Sequence, residues 1–249
     1  MATNGMYLRS IAYRLPSTLR YSILSTSQVR SLSLSHAPRK DDSLAPHFER
    51  NKEWYTRTST QKPDLFPTCA KGQHPSILWF GCSDSRCPES TILDLDPGNV
   101  FTHRNIANVL PPTDLSSQSV LAYAVGALKV KHIIVCGHIG CGGVNAALGN
   151  QKLGILDIWL APVRKLREEN AHHWEHLKPE ERAVKLVEAN VHAGVKTVRE
   201  NATVIDGMRG WGLQVHGCVY DVGTGQLREL ECREGKRAAE GREEAFELK

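Results

Sequence analysis

Nothing in this 249-residue chain approaches the ~18 or more unbroken apolar residues that a membrane-spanning helix needs, which removes a membrane span. There is no internal repeat, and no GxGxxG or Walker-type phosphate loop that would point to dinucleotide or nucleotide chemistry. No Cys-x-x-Cys pair occurs, which argues against a dithiol redox role. The cysteines number seven, an odd count that speaks against a disulfide framework. Acidic residues are absent from residues 1–40, which hold five Arg and one Lys. Six positive charges there exceed the +4 of the whole chain, so the remainder is slightly acidic. The basic surplus therefore belongs to the leader and gives no argument for a nucleic-acid surface.

That leader, residues 1–40, is rich in Arg and Ser, with apolar residues at roughly helical spacing (Leu8, Ile11, Leu15, Leu19, Ile23). Arg9, Arg14 and Arg20 break every candidate for the continuous apolar core of a secretory signal, so the composition reads as a mitochondrial transit peptide. Pro16 divides it into two short amphipathic segments, and cleavage is expected near Arg30-Ser31-Leu32. The expected location is the mitochondrial matrix. The alternative is a disordered tail of this composition on a cytoplasmic protein. Residues 41–232 read as a single α/β domain, and 233–249 as a charged tail, mobile or weakly helical.

Within the domain, Leu44, Phe48, Trp54 and Tyr55 mark a helix over 41–60, with Pro46 in its first turn. Strands are expected at Ser76–Gly81, Asn99–His103, Lys131–Cys136 and Gln214–Val222, and a last one at Leu227–Cys232. Thr224-Gly225 turns the final pair into an antiparallel hairpin. Helices are expected over 88–93, from a Ser116/Ser117 cap through Lys129, from Val144 to Leu148, and over 155–170 and 180–202. Thr203–Leu213, with three glycines, reads as a loop. The alternation predicts a central, mostly parallel sheet, about four parallel strands plus an antiparallel edge strand, flanked by helices. His172, His173 and His176 lie in a polar linker and read as an exposed loop, not a metal site.

Two stretches carry chemistry. Cys82-Ser83-Asp84-Ser85-Arg86 follows the apolar run Ile77-Leu78-Trp79-Phe80, and His138-Ile139-Gly140-Cys141 follows Ile133-Ile134-Val135-Cys136. Loops leaving the carboxyl ends of parallel strands form the ligand crevice of such sheets. Two of them side by side would bring Cys82, His138 and Cys141 together. Two thiolates and an imidazole suit one Zn²⁺ per subunit, with a fourth position open to water. Asp84 and Arg86 bracket Ser85 in a tight loop, where carboxylate and guanidinium can pair bidentately. Cys87 stands close by without a role. Gly142-Gly143 permits a tight turn and close backbone approach behind Cys141.

These residues, with His103-Arg104-Asn105-Ile106-Ala107-Asn108 between the two stretches and Val215–Asp221 near the end, resemble the β-class carbonic anhydrases in order and spacing. The resemblance implies reversible hydration of CO2 to bicarbonate and a proton by attack of zinc-bound hydroxide, with Asp84 accepting a hydrogen bond and Arg86 holding Asp84 ionised. It implies a substrate pocket at Gln73, Phe101, Ile106 and Tyr123; for the last three, core packing is the alternative. It also implies a noncatalytic bicarbonate site at Trp79, Arg104 and Tyr220. The amino-terminal helices would pack on a partner subunit in a homodimer or homotetramer. Two positions depart from the family pattern: Cys218, where tryptophan is common, and Gly194, where glutamine often follows Asn190-Val191. Alternatives on the same scaffold are a CS2 or COS hydrolase and a catalytically silent zinc protein that senses bicarbonate.

Overall fold

Ile77-Leu78-Trp79-Phe80 is apolar at every position, which suits a strand covered on both faces. It does form one in the computed structural model, which describes residues 43–248. The expected leader lies outside the described residues. The elements in chain order are α1 (Ala45–Gln61), α2 (Leu65–Lys71), β1 (Ile77–Cys82), α3 (Glu89–Ile92), β2 (Val100–Asn105), a one-turn 3-10 helix (Ile106–Asn108), α4 (Leu115–Gly126) and β3 (His132–His138). There follow α5 (Gly142–Leu148), α6 (Ile155–Trp159), α7 (Ala161–Glu169), α8 (Ala171–Trp174), α9 (Pro179–Arg199), α10 (Ala202–Trp211), β4 (Gln214–Asp221), β5 (Gln226–Glu229) and α11 (Lys236–Phe246).

The chain divides into two units, one ending at Glu53 and one running from Trp54 onward. Of the first, only the opening of α1 and the two residues before it are described, and there Leu44 and Phe48 are exposed. In the second, Trp54 packs edge-on and Tyr55 at a tilt against Phe66 of α2, with ring centroids 5.4 and 5.7 Å apart. α2 was not foreseen from the sequence.

The sheet has the order β2-β1-β3-β4-β5. All its pairings are parallel except β4 with β5, as the strand–helix alternation predicted. One face carries Leu78, Phe80, Ile133 and Val135 into a core with Leu186, Val187, Val191 and Val195 of α9. The other buries Trp79, Cys136 and Cys218 against Ile92, Leu93 and Tyr220. The approach of α9 explains Gly194: a Cβ there would stand 2.9 Å from a methyl of Val135. Glycine lets the helix backbone settle where any side chain would force it away.

Several boundaries differ from expectation for local reasons. Asp114 caps α4, accepting from the Ser116 and Ser117 backbone N–H groups, so the serines are recipients of the cap rather than its source. That helix stops at Gly126, and Lys129 beyond it sits at φ 55° in the left-handed region. Most of Thr203–Leu213, expected as a loop, lies in α10 (Ala202–Trp211). Asn201 caps it, Val204 and Ile205 are buried, and Gly207 packs so closely that a Cβ would meet Leu213 at 2.8 Å. Tertiary burial there overrides the weak helical preference of glycine. The tail also holds a helix, α11. Its Arg242 is 9% exposed, pairs with Glu234 and donates to the Arg199 carbonyl at 3.0 Å, while Glu243 and Glu247 pair with Arg209. Among the described residues no helix is long and apolar enough to cross a membrane.

Candidate metal centre

β1 and β3 are neighbours at the middle of the sheet, and each ends in a side chain that can bind a metal: Cys82 is the last residue of β1 and His138 the last of β3. Gly140, at φ 73°, then turns the chain so that Cys141 becomes the residue capping α5. The sulfurs of Cys82 and Cys141 lie 3.9 Å apart. One ligand atom from each of the three residues lies within 4.8 Å of the others, and all three side chains are buried. Nδ1 of His138 is 3.2 Å from the Ile139 carbonyl. A proton there leaves Nε2 with its lone pair free, and Nε2 is buried with no hydrogen-bond partner. An unpartnered imidazole nitrogen beside two thiols is a donor set suited to zinc.

The thiols share their proton unevenly. The hydrogen bond with Cys141 is the main cause that brings the Cys82 thiol well below its usual range against burial, aided by the Asp84 and Ala107 backbone amides. The same hydrogen bond, with burial, raises Cys141, while the Val144 and Gly143 amides at the start of α5 oppose the rise. A bound cation would supply what the second thiol needs to ionise. Burial pushes the Cys87 thiol up to about 11, so it stays neutral.

Asp84 and Arg86 form the expected fork, Nε to Oδ1 at 2.9 Å and Nη2 to Oδ2 at 2.7 Å, and the Arg86 backbone N–H adds a third bond to Oδ1 at 3.0 Å. Arg86 also donates to the Gly140 carbonyl at 3.2 Å, which ties one loop to the other. These bonds hold the Asp84 carboxyl well below the usual carboxylate range. Its Oδ2 lies 3.8 Å from His138 Nε2, beside the donor set. Arg104 straps the same loop from β2, donating to the carbonyls of Cys82 and Asp84.

The remaining sequence-derived residues are distributed less uniformly. Ile106 reaches the rim: a Cβ on Gly143 would stand 3.1 Å from its Cγ2. Phe101 and Tyr123 pack together at 5.7 Å, but Phe101 is level with Leu78, four residues and about 13 Å of strand from Cys82. Gln73 is exposed before the amino end of β1, with the whole strand between it and Cys82. Within one chain, Gln73, Phe101 and Tyr123 are not brought to the trio. Trp79, Arg104 and Tyr220 share one face of the sheet, on β1, β2 and β4, and the indole N–H of Trp79 is buried with no partner.

Gly143 matters beyond its turn, since a Cβ would also meet that of Ala107 at 2.9 Å. Gly143→Ala should therefore lower stability by about 1–3 kcal/mol, read as a fall of several degrees in thermal unfolding. An unchanged midpoint would contradict that close contact.

Two thiols and an imidazole at the carboxyl edge of a mostly parallel sheet mark an α/β protein whose strand ends could hold a metal ion. The family model described as carbonic anhydrase matches residues 77–227. A carbonic anhydrase of Emericella nidulans is 45% identical over 185 residues, covering 74% of this chain and 81% of that protein. One from Saccharomyces cerevisiae is 34% identical, covering 83% and 95%. The crystal structure of the β-carbonic anhydrase CafA of Aspergillus fumigatus is 52% identical with a TM-score of 0.82, covering 84% of this chain and all of that one. One of two tetrameric β-carbonic anhydrases from Sordaria macrospora is 43% identical with a TM-score of 0.75, covering 78% of this chain and all of that one. The chain belongs to the carbonic anhydrase family, in its β class. Members of that class use zinc, and Cys82, His138 and Cys141 are the residues here that could hold it.

Proposed function

We propose that this chain catalyses the reversible reaction of CO2 with water to give bicarbonate and a proton. The observation that carries the proposal is the unpartnered His138 Nε2 between two buried thiols, with the ionised Asp84 carboxylate 3.8 Å from it. Zinc held by Cys82, His138 and Cys141 would supply a water acidified toward neutral pH. Asp84 accepts a hydrogen bond from the attacking oxygen and fixes its direction, and Arg86 keeps Asp84 ionised and turned correctly. Ile106 gives the rim an apolar wall for a nonpolar gas. Stopped-flow CO2 hydration from about pH 6.5 to 9, where such a water ionises, tests the reading. Zinc-loaded protein inert toward CO2 at every pH would leave a silent bicarbonate sensor, and turnover of CS2 or COS instead would point to the hydrolase.

Further proposals concern the rest of the molecule. Bicarbonate binding among Trp79, Arg104 and Tyr220 would bias Asp84 through Arg104, which already holds the Asp84 carbonyl. The unpartnered indole N–H supports this. The expected sign is inhibition by added bicarbonate and a sigmoidal rise of activity with pH. A profile with a single ionisation, unmoved by bicarbonate, would contradict it. Homo-oligomerisation is supported by the tetrameric relative and by exposed Leu44, Phe48 and Tyr55, which the amino-terminal helices would bury on a partner subunit. A pocket role for Gln73, Phe101 and Tyr123 requires such a second copy. Residues 1–40 would direct import into mitochondria. Isolated mitochondria should shorten the chain to a protease-protected form, and a full-length product left outside would contradict the assignment.

A further inference from the structure

The chain between β2 and α4 makes a turn that residues with a side chain rarely adopt. Ala107 sits at φ 60°, ψ 23° and Asn108 at φ 45°, both in the left-handed region and both buried. Asparagine tolerates such geometry, but in alanine it is strained and persists only where surroundings over-determine it. Here they do. The Asn105 carbonyl accepts from the Ser83 N–H at 2.8 Å, and the Ile106 carbonyl from the Trp159 indole at 2.8 Å. The Ala107 carbonyl accepts from Asn190 Nδ2 at 2.8 Å, and the Val109 carbonyl from Asn105 Nδ2 at 2.9 Å.

The turn is wedged among the elements that carry the three metal-binding side chains. Asn105 is paired with Cys82 across β1 and β2. Ala107 fills the space that a Cβ on Gly143, two residues past Cys141, would need. The Asn108 side chain lies 3.7 Å from where a Cβ of Gly137, next to His138, would stand. The Ala107 N–H faces the Cys82 sulfur. Asn190 reaches this turn from the middle of α9, 5% exposed, with its amide spent on the Ala107 carbonyl.

We infer that Asn190 is a positioning residue for the metal centre: its side-chain amide holds Ala107 in the left-handed conformation that seats the turn against Cys82, Gly137 and Gly143. It touches no ligand atom and acts through Ala107. The inference rests on the proposed zinc site and deepens it, since partners behind the ligands set their orientation and the affinity of the site.

Asn190→Leu keeps the volume and removes the donor. Full-length wild type and variant are loaded with Co²⁺, whose thiolate charge-transfer absorption reports the sulfur ligands, and zinc affinity is measured by chelator competition. Zinc should bind about tenfold or more weakly in the variant, with a shifted charge-transfer band. Ala107→Gly in the same chain should recover both, because glycine enters the left-handed region without the clamp. A role confined to core packing would not be repaired at residue 107. Wild-type affinity and spectrum in Asn190→Leu overturn the inference, as does a loss that Ala107→Gly leaves uncorrected. Should Asn190→Leu fail to fold, Asn190→Ala, which leaves room for a water to reach the Ala107 carbonyl, takes its place with a smaller loss expected. Wild-type affinity there overturns it equally. Failure of the wild type to bind either ion would sink the proposed function itself, whereas a loaded wild type with an indifferent variant sinks only the role of Asn190.

Discussion

Cys82→Ser is expected to yield a folded chain that retains no zinc and whose CO2 hydration falls on the order of a thousandfold or more, since the acidified water is lost. Cys82 is the thiol of the pair that ionises readily, and serine offers no anion at neutral pH. With Cys82 gone, Cys141 loses its hydrogen-bond partner at 3.9 Å, and His138 faces one thiol where it faced two. Two donors do not close a tetrahedral site. The fold should survive because Cys82 sits at the end of β1 and serine is nearly isosteric with it, while the larger Leu78, Phe80, Ile133 and Val135 supply most of the core around it. Metal analysis beside circular dichroism reads both halves. Zinc retained at one per chain would break the ligand assignment.

Asp84→Asn should separate binding from turnover. The variant is expected to keep its zinc and to lose activity by about 10²–10³-fold, the usual cost of removing one oriented polar group from a reacting centre. Asparagine preserves the shape, but its amide cannot act as the anionic partner of Arg86, and its nitrogen can present a donor where an acceptor is needed. The pH dependence follows from sign. The hydrogen bond from Arg86 depresses the folded Asp84 carboxyl, so its contribution is complete above the unfolded value of about 3.9 and is lost only as pH falls through the lower folded value. Between pH 6.5 and 9 its charge is constant. Any ionisation seen in the wild-type profile there belongs to another group, and Asp84→Asn should lower the plateau without adding an acid limb. Activity within threefold of wild type would remove Asp84 from the mechanism.

The site was more legible in the sequence than the scaffold that seats it. Cys82 and His138 end apolar strands and Asp84, Arg86 and Cys141 follow within a few residues, where chemistry and position coincide, and the parallel sheet follows from the strand–helix alternation. α10 was hidden because Gly207, Gly210 and Gly212 read as loop; the burial of Val204 and Ile205 that stabilises the helix is a long-range fact. The cap of α4 was displaced from Asp114 to its serines because Asp, Ser and Ser are all good caps, and only geometry shows which accepts. Asn190 entered only as part of the family pattern around Gly194, with no role attached: its partner is 83 residues away, and the strain at Ala107 is a property of φ, not of composition. Gln73 could be matched to a motif, yet one chain leaves it at the far end of β1.

The most direct test of the metal assignment is X-ray absorption at the zinc edge on the purified, zinc-loaded chain. The account predicts two sulfur scatterers at about 2.3 Å and an imidazole nitrogen at about 2.0–2.1 Å, with one lighter ligand completing the shell. A shell of nitrogen and oxygen alone, or protein that holds no zinc, would contradict it.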